Sequence, residues 1–473
     1  VSRVLAPVVW AVAAGTAALQ LATSWVYGYH RDEFYYLACG RRLAWGYVDH
    51  PPITPLLYRM SAALFGTSRI GLRVVPALLH GIVVLLVALL ARELGGSARA
   101  QLLAALGAAV APLFLTTSHF LGTVTVEIVA GTALSLVVVR LLGGADPRWW
   151  LAVGLVVGLG LLNKWTFGFL AVGLLVGLLV LPERSVLATP WAAAGGALAG
   201  VLVAPNLLWQ ARHGWPQLEF ASQLRDYGQS ALVAPAQLFL LGAVGVILVI
   251  PGVVWLVRDE SAARYRPFLV ALVVVVALVI ATGGKPYYTA AILPFLVAAG
   301  AVTVAGTSPR GWLLPALLVA TGLLLAPLAM PLLPRATAEA VRKVNPEIGE
   351  MLGWESLVDQ VAAVHARHPG AAVLTRNYSE AGAIELLGAD RGLPQPASGH
   401  NSYWDWGPPA DEPVTVVVGF RRDQLHAVCG RVERAATFHT PGDVHNLEDG
   451  TPIWICRDRR APWADLWPRL RHL

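Results

Sequence analysis

Asp32 and Glu33 stand side by side just past the first hydrophobic segment, in Tyr29-His30-Arg31-Asp32-Glu33-Phe34-Tyr35-Tyr36. A carboxylate at a membrane edge can take a proton from a hydroxyl. With aromatics around it and Pro51-Pro52 following, the pair suggests a place where a polar acceptor meets a lipid-borne donor. The structural alternative is that Asp32 caps a short interfacial helix. The chain has 35 Lys+Arg but only three lysines, Lys164, Lys285 and Lys343. Lys164, in Leu161-Leu162-Asn163-Lys164-Trp165, and Lys285, in Gly283-Gly284-Lys285-Pro286-Tyr287-Tyr288, both sit at turns between apolar segments. A lysine there is costly unless it snorkels or meets an anion. Their shared setting points to a phosphate clamp, with ammonium groups as compact charges and the Tyr288 hydroxyl as a donor. Interfacial anchoring by Lys, Trp and Tyr is the alternative.

Weaker candidates surround these. Arg212 and Arg225, in a polar loop, could supplement the clamp or simply be solvated. His50 lies in the turn Asp49-His50-Pro51-Pro52 and could face the same cavity. Glu127 lies within an apolar run, so it should face a cavity or a partner. His119 and Glu127 could together help hold a divalent metal; a polar pair packing two helices is the other reading. The run from Ser398 to Gly407 holds His400, Tyr403 and Trp404. Sugars stack apolar faces on aromatics while their hydroxyls pair with polar groups, so this run could contact an acceptor. It could equally be a structured turn.

These residues sit on a membrane scaffold. Of 473 residues, 56% are hydrophobic and only 14% charged, against roughly 25% charged in soluble domains. The mean hydropathy is +0.60. Apolar segments fall at 4–23, 72–91, 100–118, 122–142, 149–163, 165–181, 189–209, 236–257, 267–282, 287–305 and 311–333. Many approach the roughly 20 residues that a spanning helix needs. The expectation is a polytopic α-helical membrane protein of about 11 spans, the first of them a retained helix rather than a signal peptide. The net charge of +6 suits anionic headgroups and topology, and no motif points to nucleic acid.

Arginine placement orients the chain. With a cytoplasmic N-terminus, Arg92, Arg99, Arg140, Arg148, Arg184, Arg258, Arg264, Arg266 and Arg310 fall on the inner side. The arginines of the loop 24–71 argue the other way, though long loops weigh less. The acidic pair, the turn lysines and everything beyond residue 334 then share the outer face.

In the loop 24–71, Phe34, Leu37 and Ala38, and then Ile53, Leu56, Leu57, Met60 and Leu64, recur at helical spacing. Two short interfacial helices are expected, separated at Asp49–Pro52. The region 1–334 is read as the transmembrane domain and 335–473 as a soluble α/β domain. In the latter, Trp354, Leu357, Val361 and Val364 mark a helix, 371–375 a strand, 379–387 a helix, and 414–419 and 453–456 strands. The spacings Gly154/Gly158 and Gly173/Gly177 read as helix-packing motifs. Cys429 and Cys456 lie in or beside strands, where a disulfide is compatible with an oxidising compartment.

Taken together, these motifs resemble glycosyltransferase family 39. The resemblance rests on Arg31-Asp32-Glu33-Phe34-Tyr35-Tyr36 after an N-terminal span, and on Gly46-Tyr47-Val48-Asp49-His50-Pro51-Pro52. Asn163-Lys164-Trp165-Thr166, Gly284-Lys285-Pro286-Tyr287-Tyr288 and Pro205-Asn206-Leu207-Leu208-Trp209 strengthen it. That family includes the protein O-mannosyltransferases and the bacterial lipid A aminoarabinose transferases. The resemblance covers about residues 1–330 and implies a GT-C fold and a polyprenyl-phosphate sugar donor. It implies Asp32 as the catalytic carboxylate with Glu33 its neighbour, and Lys164, Lys285 and Tyr288 as phosphate contacts. A bacterial inner-membrane location, with the acceptor a cell-envelope glycan, lipid or protein, follows from it. No sugar-binding MIR module is found, so a protein acceptor is not specifically implied.

The chemistry is coherent on its own terms. Transfer from a lipid phosphate needs a stabilised leaving group, which the lysines could supply, and a base for a hydroxyl acceptor, which Asp32 could supply. A single displacement inverts the anomeric centre. The rival class is a transporter or flippase of a lipid-linked or anionic substrate, which more often shows inverted repeats and broken helices in matching halves.

Overall fold

The computed structural model describes residues 5–224, 232–307, 310–442 and 444–473. It divides into two compact units. One comprises Val1–Ser24, His50–Leu57 and Ser61–Met330; the other comprises Trp25–Asp49, Tyr58–Met60 and Pro331–Leu473. The segment carrying Asp32 and Glu33 packs with the C-terminal chain.

The first unit is helical. Each apolar segment of the sequence falls on a helix, because a chain in lipid must satisfy its backbone internally. Arg69–Glu93, Thr123–Leu142 and Pro190–Arg212 are long and apolar enough to cross a membrane. Pro235–Leu241 and Gly245–Arg258 form a pair bent by 111°. Pro7–Thr23, Ala98–Val110, Trp149–Leu161, Phe167–Val180, Pro267–Ala281, Leu293–Val304 and Leu313–Ala329 are shorter apolar helices. The expected eleven spans are thus not matched by as many full-length helices. Local chemistry interrupts several segments: the 100–118 segment breaks at Ala111, where Pro112 opens a new helix. Outward apolar side chains such as Val201, Leu208, Leu323 and Leu324 are exposed, which suits lipid and not water. The chain is a multi-pass membrane protein.

The glycine spacings pack helices, as the sequence suggested. A Cβ on Gly154 would strike the backbone of Gly195, and one on Gly158 would strike Leu202. Likewise Gly173 and Gly177 lie against Ala271 and Pro267. The Trp149–Leu161 helix therefore lies close on Pro190–Arg212, and Phe167–Val180 on Pro267–Ala281.

The second unit is α/β. Its five strands are β1 (Ala372–Thr375), β2 (Ala397–Ser398), β3 (Val414–Val418), β4 (Cys429–Thr437) and β5 (Pro452–Arg459), in the order β2-β1-β3-β5-β4. β2, β1 and β3 are parallel, with Leu374 opposite Ala397 and Val417; β5 and β4 are antiparallel. One face carries Val373, Val416, Val418 and Ile455 against the helices Trp354–His365 and Tyr378–Leu387. The other carries Leu374, Val417, Trp454 and Cys456 against Leu425, Trp463 and Trp467. A disulfide joins Cys429 and Cys456, whose Cα atoms are 5.7 Å apart. The Arg31–Arg41 helix belongs to this unit: Phe34 is buried against Trp354, ring centres 5.4 Å apart, and a Cβ on Gly382 would collide with Phe34.

Candidate functional site

Two clusters hold most of the residues singled out from sequence, one in each unit.

In the first unit, Lys164 occupies the turn between Trp149–Leu161 and Phe167–Val180. Its Nζ lies 3.0 Å from the Glu127 carboxylate, whose residue is 0% exposed. Thr166 Oγ1 donates to the other Glu127 oxygen at 3.2 Å. The Lys164 ammonium also lies 4.0 Å from the centre of the Tyr288 ring and 5.2 Å from that of Tyr287. Lys285 approaches the same Tyr287 ring at 5.9 Å. The two turn lysines therefore meet around one tyrosine pair, with two ammonium charges set against one carboxylate. A surplus positive charge ringed by phenols suits a phosphate monoanion.

Neighbouring polar groups fix this turn. Asn163 Nδ2 donates to the Thr123 carbonyl at 2.8 Å, and Thr54 Oγ1 donates to Asn163 Oδ1 at 2.8 Å. Ile53 N–H bonds the Leu162 carbonyl. The segment after Pro51-Pro52 is thereby tied to the Lys164 turn and to the helix bearing Glu127. His50 is buried beside this junction, with Nδ1 2.9 Å from the Pro51 carbonyl. Asn163, Thr54 and Thr166 were not assigned roles from sequence; the quoted Asn-Lys-Trp-Thr run was the available signal.

His119 and Glu127 each have other partners. His119 Nε2 lies 3.2 Å from the Arg73 guanidinium, and its Nδ1 faces Gln20 Oε1 at 3.4 Å. Gln20 Nε2 in turn lies 3.2 Å from His80 Nδ1. This is a buried helix-packing network, and a guanidinium beside the imidazole is a poor neighbour for a cation. Glu127 is engaged by Lys164 instead. Among the described residues no group of three or more His, Cys, Asp or Glu could hold a metal ion. Arg212 is exposed at the end of its helix, and no bond among the described residues ties it to the lysine cluster. Arg225 lies outside the described residues.

In the second unit, His30 caps the Arg31–Arg41 helix. Its Nδ1 accepts the Asp32 N–H at 3.2 Å, and Glu33 Oε2 accepts the His30 N–H at 2.7 Å. That is a capping box, and Glu33 is fully buried in it. Asp32 points away from the cap and is half-buried. Its Oδ1 accepts the Tyr378 hydroxyl at 2.8 Å. Burial first, and then the Asp32 charge, push the Tyr378 phenol's pKa up, so it stays a donor at neutral pH. Burial alone would lower the His30 imidazole; its bond to Glu347 and the charge of Asp32 outweigh this, and its pKa is raised. A further carboxylate, Asp49, accepts from the Tyr35 hydroxyl at 2.8 Å and from Asn401 Nδ2 at 3.4 Å. Sequence reasoning placed Asp49 only in a turn.

The aromatic run from His400 to Trp406 is mostly spent inside this unit. His400 Nδ1 accepts the Tyr378 backbone N–H at 3.3 Å, and its ring stacks on His472 at 4.7 Å. Tyr403 is buried and donates to Glu385 at 3.0 Å. Trp404 and Trp467 exchange indole-to-carbonyl bonds of 3.1 and 3.0 Å.

The model of the dolichyl-phosphate-mannose-protein mannosyltransferase family matches residues 49–209. The whole chain superposes on ArnT from Cupriavidus metallidurans bound to undecaprenyl phosphate, with a TM-score of 0.62 at 16% identity. That match covers 95% of this chain and 97% of the other. The fold is GT-C. Two other GT-C structures agree. The oligosaccharyltransferase AglB from Archaeoglobus fulgidus, in complex with an inhibitory peptide and a dolichol-phosphate, gives a TM-score of 0.50 at 14% identity, covering 82% of this chain and 64% of that one. The arabinofuranosyltransferase AftD from Mycobacteria gives 0.54 at 17%, covering 96% of this chain and 42% of that one. A comparison with curated proteins finds no match. The family resemblance read from sequence is thus supported over residues 49–209, which include Lys164 and Glu127, and the likeness in fold covers 95% of the chain.

Proposed function

We propose that this protein is a membrane glycosyltransferase that moves a sugar from a polyprenyl-phosphate donor to an extracytoplasmic acceptor, with inversion at the anomeric carbon. The observation that carries this reading is the meeting of Lys164 and Lys285 around Tyr287 and Tyr288. Two ammonium groups, of which only Lys164 is paired with a carboxylate among the described residues, are suited to a leaving phosphate. The solved structures bound to undecaprenyl phosphate and to a dolichol-phosphate support a lipid-phosphate donor here. The acceptor is a cell-envelope glycan, lipid or protein, and the membrane is the bacterial inner membrane, with the N-terminus inside.

In this reading an acceptor hydroxyl attacks the anomeric carbon while its bond to the phosphate oxygen breaks. Asp32 takes the hydroxyl proton. Tyr378, bonded to one Asp32 oxygen, orients that carboxylate and leaves the other for the acceptor. The lysines stabilise the negative charge growing on the departing phosphate. Glu127 keeps Lys164 charged and aimed. Glu33 shapes the helix start that presents Asp32.

The test uses the purified full chain in lipid nanodiscs with a polyprenyl-phosphate sugar labelled in the sugar and an envelope glycan fraction. Labelled product together with free prenyl phosphate is expected. Movement of the intact donor between leaflets of a vesicle, with the sugar-phosphate bond unbroken, would instead identify a flippase.

A further inference from the structure

The C-terminal sheet has a crevice that neither cluster above uses. β1 and β3 are adjacent and parallel, with Thr375 opposite Val418. After β1 the chain turns to the helix Tyr378–Leu387, whose Ala383 and Ile384 pack on the face of Val373 and Val416. After β3 it turns to the helix Arg422–His426, whose Leu425 packs on the opposite face with Leu374 and Val417. The two connections leave in opposite directions, which opens a crevice beyond the carboxyl ends of the strands. Ligands of open α/β sheets bind at such switch points.

Here that edge holds a cavity of about 380 Å³, within the usual range for small-ligand sites. Arg376, the first residue after β1, lies at its rim, with Phe420 from the end of β3. The chain end supplies the rest. His472 N–H bonds the Gly399 carbonyl at 3.0 Å and Asn401 N–H bonds the His472 carbonyl at 3.1 Å. This pins the last segment beside β2 and brings Arg469, Arg471 and His472 to the cavity. No acidic side chain lines it. Glu380 does accept the Arg376 backbone N–H, but it is buried away from the lining. Among the described residues neither Arg376 nor Arg469 has an ion-pair partner, and both are exposed. Val428, Leu466 and Leu470 give an apolar floor.

The exposed Arg376 and Arg469 line this cavity with no acidic side chain beside them, while the Arg471 guanidinium lies 5.5 Å from the centre of the Trp404 ring; such a pair of forked cations suits an oxyanion. Phe420 and the aliphatic side chains of the lining add an apolar surface for a ring. We propose that this crevice binds a phosphate ester on a small neutral body, such as a phosphorylated sugar or a phospholipid headgroup. This site is independent of the donor chemistry proposed above, so either can fail alone.

The experiment titrates glucose 1-phosphate, and separately nanodiscs of phosphatidylglycerol against phosphatidylcholine, into the full chain in neutral detergent. Binding is read by calorimetry. Arg376→Gln with Arg469→Gln should weaken binding at least about tenfold, since a charged hydrogen bond contributes about 1.5–3 kcal/mol. Arg422→Gln, an exposed arginine outside the lining, should leave it unchanged. Melting temperatures of all variants check folding, and Arg376→Lys with Arg469→Lys gives a charge-preserving comparison that should weaken binding less. Preference for the sugar phosphate identifies a soluble or glycan ligand, and preference for phosphatidylglycerol identifies a lipid headgroup. Absence of binding to both at millimolar concentration, or equal binding by the double Gln variant and the parent, overturns the proposal.

Discussion

The Lys164 ammonium lies 3.0 Å from the Glu127 carboxylate, and the lysine side chain is only 13% exposed while the glutamate's is wholly buried. Neither charge could sit there alone. Removing one partner of such a pair leaves an uncompensated charge and typically costs about 3–5 kcal/mol, whereas removing both costs far less. Glu127→Gln and Lys164→Met should each lower the melting temperature in detergent. The double variant should melt above the sum of the two effects. Additive losses would mean that the pair is not coupled.

Lys285 differs in that no carboxylate pairs with it among the described residues, and it is half-exposed. Its charge is therefore available to a ligand, and its loss should leave folding nearly intact. Lys285→Met should weaken binding of polyprenyl phosphate by about tenfold or more, the worth of one charged contact. Lys285→Arg should recover only part of this, because a planar fork replaces a point charge. Equal affinity in Lys285→Met and parent would remove Lys285 from the phosphate site.

Tyr378 holds Asp32 through a bond of 2.8 Å. Tyr378→Phe keeps the ring packed against Tyr35 and deletes the donor. Transfer should fall by about tenfold while donor affinity stays at the parent value, because misplacement of the base is felt in turnover. A fall in donor affinity with unchanged turnover would contradict the positioning role.

Stability of the C-terminal unit should depend on pH through His400. Burial first, and then the charges of His472, Arg31 and Arg376, lower its pKa from 6.5 to about 3. A depressed basic group favours the fold only while neutral. Its contribution is present above pH 6.5 and is lost as pH falls toward 3. The melting temperature should therefore fall on acidification from pH 7 to pH 5, and His400→Gln should flatten that slope. A slope unchanged in the variant would assign the effect to other groups.

Much of the fold was legible because lipid imposes simple demands. A spanning segment must be apolar and helical, so segments read from hydropathy coincide with helices. Their lengths were less legible, since a break such as Ala111-Pro112 is a local event inside an apolar run. β1, β3 and β5 showed as buried apolar runs. β4 did not, because Arg431, Glu433 and Arg434 line an exposed edge strand. Both intramembrane charges are visible in the sequence, but their pairing, across 37 residues, is not. Glu33 carried a capping signal at the right spacing, disguised by a histidine where serine or threonine is usual. Tyr378 lies 346 residues from Asp32, and no local pattern could connect them. Nor could a pattern show that the Arg31–Arg41 helix, through Phe34, shares a core with the C-terminal strands. Deleting residues beyond 334 would therefore strip that core from Phe34 as well as removing the domain.

The measurement that bears most directly on the proposed chemistry is the turnover of Asp32→Asn with a synthetic prenyl-phosphate sugar, alongside its affinity for prenyl phosphate. Asparagine keeps the shape and can still bond Tyr378, but it cannot accept the hydroxyl proton. Turnover should fall by about 10²–10⁴-fold, the usual contribution of a general base, with affinity for prenyl phosphate unchanged. Turnover near that of the parent would contradict Asp32 as the catalytic carboxylate.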